Sequence, residues 1–111
     1  MTAATSFPLA PTRDPEALAD DLCRALLTPE TAAEMAALLA DLCTPAEIRT
    51  LAERWHIARL LDGADLTYRD LHDATGVSTT TIVRVARFLK QERNFGYRMA
   101  LDRLGEARDA G

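Results

Sequence analysis

Aromatic residues are scarce in this chain, with one Trp, two Tyr and three Phe among 111 residues. The core must be built from aliphatic side chains, mostly alanine and leucine, which favours packed helices over a β-sandwich. Cysteine is scarcer still: Cys23 and Cys43 form no Cys-x-x-Cys, and with His56 and His72 they make no zinc-ligand spacing. Neither a disulfide framework nor a metal site is expected, and both thiols are read as free. No apolar run approaches the roughly 18 residues that a membrane span needs. Met1 to Pro11 lacks the basic start and long apolar centre of a signal peptide, so the chain is expected in the cytoplasm with no membrane partner. A phosphate-cradling glycine loop, a nucleophile and base at motif spacing, and a metal cluster are all missing as well. That excludes the common enzyme designs and leaves no catalytic residue or cofactor to name.

The net charge is −4 at pH 7, which argues against a protein that coats nucleic acid indiscriminately, yet the charge is unevenly placed. Residues 1–48 carry Arg13 and Arg24 against Asp14, Glu16, Asp20, Asp21, Glu30, Glu34, Asp41 and Glu47. Residues 78–98 carry Arg84, Arg87, Lys90, Arg93 and Arg98 against Glu92 alone. A local basic patch of this kind suits phosphate contacts, while an acidic remainder limits non-specific association. The length fits one domain, and dimerisation would improve its surface-to-volume ratio.

Three proline-marked helix starts follow one another: Asp14-Pro15, Thr28-Pro29 and Thr44-Pro45. In each a capping residue precedes a proline whose missing N–H is harmless in the first turn. Glu47 completes a capping box with Thr44. The spacing predicts helices over about 15–27, 29–42 and 45–62. Their apolar stripes are Leu18, Leu22, Ala25 and Leu26; Met35, Leu38, Leu39 and Leu42; and Ile48, Leu51, Ala52, Trp55, Ala58 and Leu61. Gly63 is expected to stop the third. Thr67 caps a fourth helix, and a last one is expected over about 97–104 after the turn at Asn94 and Gly96. The domain then spans 14–104, with a flexible arm over 1–13 and a flexible tail over 105–111.

The segment from Leu66 to Lys90 has the pattern of a helix-turn-helix, about 68–90. Leu71, Val77, Ile82 and Val85 are spaced to pack two short helices at a steep angle, and Gly76 falls where the turn needs positive φ. Ser78 is a good N-cap, and Thr79, Thr80 and Thr81 set hydroxyls on the first turn of the second helix, the part that meets base edges in such motifs. His72 and Thr75 depart from the usual pattern, which has a small and an apolar residue at these positions. His72 is a weak candidate for a phosphate contact when protonated. Tyr97 and Phe95 are read as packing for the last helix, Trp55 as core and His56 as surface.

Thr44-Pro45-Ala46-Glu47 opening a long helix, Arg54 within it, Gly76, and Thr81-Ile82-Val83-Arg84 together resemble the Trp repressor superfamily. Asp41-Leu42-Cys43-Thr44 and Gly96-Tyr97-Arg98-Met99 are similar to its Trp-repressor-like YerC/YecD branch. The resemblance spans about residues 15–104. It implies an all-α, six-helix subunit with a helix-turn-helix, and an intertwined homodimer whose two heads enter successive major grooves of double-stranded DNA, with half-sites ~34 Å apart. The implied function is a sequence-specific DNA-binding transcriptional regulator, read as a repressor acting on a palindromic operator.

Residue by residue, the resemblance implies that Arg69, Thr79, Thr80 and Val83 read base edges, and that Ser78, Arg84 and Arg87 hold phosphates. Thr81 and His72 complete the DNA-binding set. It implies an effector pocket at Thr44, Arg54 and Arg84. Val85 stands where the repressor has glycine, and Phe88 where it has a serine that helps to hold the ligand. Accommodating a branched side chain there would cost on the order of 1–3 kcal/mol. The expectation is that Val85 and Phe88 partly fill the corepressor space, which argues against tryptophan as corepressor. A smaller carboxylate effector between the two arginines is the remaining small-molecule reading. The competing reading is a protein-interaction module that keeps the helix-turn-helix shape without touching DNA.

Overall fold

A computed structural model describes residues 10–91 and 94–110, with 106–110 as backbone only. The described residues form six α-helices and no strand: α1 (Pro15–Leu26), α2 (Ala32–Leu42), α3 (Pro45–Gly63), α4 (Tyr68–Thr75), α5 (Thr79–Gln91) and α6 (Gly96–Ala110). None is long and apolar enough to cross a membrane. Most of the expected arm lies outside the described residues. The chain divides at residue 42 into two units.

In the first unit, the Asp14 carboxylate caps α1 by accepting from the Glu16 amide at 3.2 Å. The second helix begins later than its Thr-Pro signal predicts. Thr28 turns its hydroxyl back to the Ala25 carbonyl at 2.7 Å, so it closes α1 instead of opening α2. Thr31 is the true cap, accepting from the Glu34 amide at 3.1 Å, while the Glu34 carboxylate accepts from the Glu30 amide at 2.7 Å. Neither helix contains a buried residue. Leu18, Leu22 and Leu42 are each about half exposed and Leu27 is more so.

The second unit holds the core. Thr44 opens α3 with the expected capping box: its hydroxyl accepts from the Glu47 amide at 3.1 Å and its own amide donates to Glu47 Oε1 at 2.8 Å. Gly63 is the last helical residue, not a left-handed stop, and the chain leaves in extended conformation at Ala64. The packing centre is α5, which touches α3, α4 and α6. Ile57, Leu71, Ile82 and Val85 are fully buried there, with Ala58 and Val77 beside them. Each large aliphatic side chain so buried stabilises the fold by roughly 1.5–3 kcal/mol.

The predicted stripe of α3 is only partly used. Ala58 is buried and Trp55 and Leu61 are half-buried, but Leu51 is 48% exposed, and the fully buried Ile57 lies off the stripe. The cause is that α3 carries apolar residues on more than one side, and α5 covers the side containing Ile57 and Ala58. The last helix also outruns its expectation: 105–110, expected as tail, continue α6. Arg98 ties α6 to the end of α3 by a two-pronged pair with Asp62 at 2.8 and 3.1 Å, and it reaches Asp102 at 2.9 Å. Hydrogen bonding from Arg98 holds the Asp62 carboxyl below its ordinary range, and the two carboxylates push the Arg98 guanidinium further up.

Candidate nucleic-acid interface and adjoining cavity

Local chemistry fixes the helix-turn-helix of α4 and α5 at three points. At its start, Thr67 and Asp70 form a reciprocal box, each side chain accepting from the other's amide at 3.0–3.1 Å. At the turn, Gly76 adopts φ 75°, ψ 0°, and its amide donates to the His72 carbonyl at 2.8 Å. Glycine takes this left-handed conformation without the Cβ clash that other residues meet. Ser78 then caps α5, its Oγ accepting from the Thr81 amide at 3.2 Å.

The row Thr79, Thr80, Val83, Arg84 and Arg87 is exposed along one side of α5, and Arg69 is exposed on α4. Arg69 Nε lies 4.0 Å from the Asp73 carboxylate on an exposed side chain, so its guanidinium is available to a ligand. Two candidates differ from the sequence reading. Thr81 is half-buried and its hydroxyl accepts from Ser78 Oγ at 3.1 Å, which turns it toward the cap. His72 is tied to its own turn, Nδ1 lying 2.8 Å from the Val77 carbonyl oxygen. The basic patch is also smaller than its sequence count, because Arg98 is committed to two carboxylates and Lys90 lies over the Tyr68 ring at 5.6 Å.

Beside the head lies a cavity of about 360 Å³, bounded by Leu51, Arg54 and Trp55 of α3, Arg84 and Phe88 of α5, and Asn94 to Tyr97. Four of the six aromatic residues converge on it: Trp55, Phe88, Phe95 and Tyr97. Trp55 and Tyr97 stack with centroids 6.4 Å apart, and the Arg84 guanidinium carbon sits 4.8 Å over the Phe88 ring. Such a cation–π contact gives Arg84 an internal aromatic partner. Arg54 Nε is buried without an acceptor among the described residues, a costly state for a charged donor. Phe95 holds φ 60°, a strained conformation for a bulky side chain, at the cavity rim.

Of the five residues read as an effector pocket, the structure brings Arg54, Arg84 and Phe88 to the wall of one cavity. Val85 is fully buried in the core and does not line the cavity wall. Thr44 is absent from the wall as well, its hydroxyl being used to cap α3. Reading single positions missed Trp55, Phe95 and Tyr97 as lining. The available signal was the concentration of a small aromatic complement around Arg54, Phe88 and the Asn94–Gly96 turn.

The family model described as Trp repressor protein matches residues 17–105. The chain belongs to the Trp repressor family. Among its relatives is the uncharacterized protein YerC of Bacillus subtilis (strain 168), 41% identical over 87 residues, which are 78% of this chain and 82% of YerC. A crystal structure of a candidate Trp repressor from Staphylococcus aureus superposes with a TM-score of 0.73 at 39% identity, covering 80% of this chain and 87% of that one. The six-helix architecture is thus that of a Trp-repressor-like protein, from a family of DNA-binding regulators.

Proposed function

We propose that this family member is a sequence-specific DNA-binding transcriptional repressor that reads a palindromic operator as a homodimer, without tryptophan as corepressor. The observation that carries DNA reading is the exposed row Thr79, Thr80, Val83, Arg84 and Arg87 on a helix whose opposite side, Ile82, Val85, Ala86 and Leu89, is buried. Hydroxyls and a methyl-bearing side chain suit base edges, and the flanking arginines suit phosphates. Arg69 adds a fork able to grip a guanine edge.

Dimerisation is supported by α1 and α2, which contain no fully buried residue while Leu18, Leu22 and Leu42 stay about half exposed. Helices with apolar stripes need a partner surface, and a second copy supplies one in an exchanged arrangement. Independence from tryptophan is supported by Phe88, whose ring already faces Arg84. Against it stands the unmet Arg54 Nε, which favours a second reading, a small carboxylate ligand between the arginines.

Light scattering at micromolar concentration and a salt titration of duplex binding test the proposal together. A two-chain mass and an affinity that falls steeply with salt are expected, since displaced counterions set the slope. A one-chain mass rejects the homodimer, and binding that ignores salt points to a protein partner.

A further inference from the structure

We propose that His72 and Thr75 are positioning residues that brace the helix-turn-helix, holding α5 at a fixed pitch to α4; the inference rests on the DNA-reading function above. Both occupy positions where a small or apolar residue is usual, and both direct their side chains to the turn. His72 Nδ1 lies 2.8 Å from the Val77 carbonyl oxygen. A carbonyl only accepts, so Nδ1 carries the hydrogen, which fixes the neutral tautomer and leaves Nε2 as the bare nitrogen. Thr75 Oγ1 donates to the Leu71 carbonyl at 2.6 Å and accepts from the Val77 amide at 3.1 Å.

Val77 is therefore gripped three ways: its N–H by Thr75, its C=O by His72, and its side chain by the core, where it is buried. Its neighbour Gly76 is the most permissive residue available, tied through its amide to the His72 carbonyl. Releasing the two side-chain bonds leaves the pitch to the buried Val77 side chain and that glycine, and DNA binding then bears part of the cost of ordering the head. On this view His72 acts through Val77 and does not contact phosphate. Because Nδ1 is protonated in the imidazolium too, the brace holds in both charge states.

Wild type, His72→Asn, His72→Ala and Thr75→Val are compared on the duplex that the wild type enriches. Asparagine sets an amide donor near the place of Nδ1 but has no ring to protonate. Removing either brace should weaken binding about fivefold, in line with one hydrogen bond, while His72→Asn stays within about twofold. The salt slope should be the same in all four. If His72→Asn binds as weakly as His72→Ala and the slope falls by about 1, His72 is a phosphate contact and the proposal fails. Imidazole nitrogen shifts of the free protein read the brace without DNA: a dominant Nδ1–H form supports it, and a dominant Nε2–H form overturns it. Should the wild type enrich no duplex, the DNA reading fails on its own, and the tautomer still decides whether the brace exists.

Discussion

Gly76 and Gly63 are a matched pair of opposite sign. At both positions an added Cβ meets nothing within 4 Å, so sterics with neighbours play no part in an alanine substitution. At Gly76 the backbone is left-handed, φ 75°, a conformation that costs an L-residue roughly 1–2 kcal/mol. Reduced freedom of the unfolded chain offsets roughly 0.4–1 kcal/mol of that, leaving Gly76→Ala destabilised by about 1 kcal/mol. Gly63 ends α3 with helical geometry, where alanine is favoured, so Gly63→Ala should gain about 0.5 kcal/mol. Urea unfolding at one fixed protein concentration measures both, with equal m-values confirming a like-for-like comparison. In thermal scans the Gly76 change corresponds to a fall of roughly 4 °C. Equal stability of Gly76→Ala and wild type, or a loss at Gly63 as large as at Gly76, would refute the backbone argument.

Arg98→Met should lower stability at neutral pH, and the deficit should shrink on acidification. The Asp62 carboxyl is held below its ordinary value of 3.8 by Arg98, so the pair contributes above that value and is lost as pH falls through the depressed one; a deficit that grows in acid would contradict this. On the operator, Arg69→Ala should relax specificity at one base pair by roughly 1–3 kcal/mol, whereas Arg87→Ala should weaken all sequences alike and flatten the salt slope. Identical behaviour of the two variants would undo that division of labour. Calorimetry with L-tryptophan should give no saturable heat at concentrations on the order of tens of micromolar, and saturation there would reject ligand-independent action. Phe88→Ala should cost about 2 kcal/mol, below the full core-deletion range because the ring is only half-buried.

Features governed by a few adjacent residues were legible in the sequence. The Thr44 and Thr67 boxes, the left-handed Gly76 and the Leu71–Val77–Ile82–Val85 core follow from local chemistry, and only the Asp70 partner of Thr67 went unread. The start of α2 was not legible, because Thr28-Pro29 serves equally as an exit from α1 and as an entry to α2, and only the Thr28 bond to Ala25 decides. The burial of Ile57 escaped for a different reason. Periodicity identifies an apolar side, not which of two sides a neighbour covers. The cavity draws on α3, α5 and the start of α6, so no single window of sequence displays it.

The central claim is that this reading head recognises a two-fold DNA sequence without a small molecule. Selection from a random duplex pool by the purified protein, near ~150 mM salt and with nothing added, tests it most directly. The account predicts enrichment of a palindrome with half-sites about one helical turn apart. A pool that stays random under these conditions would contradict it.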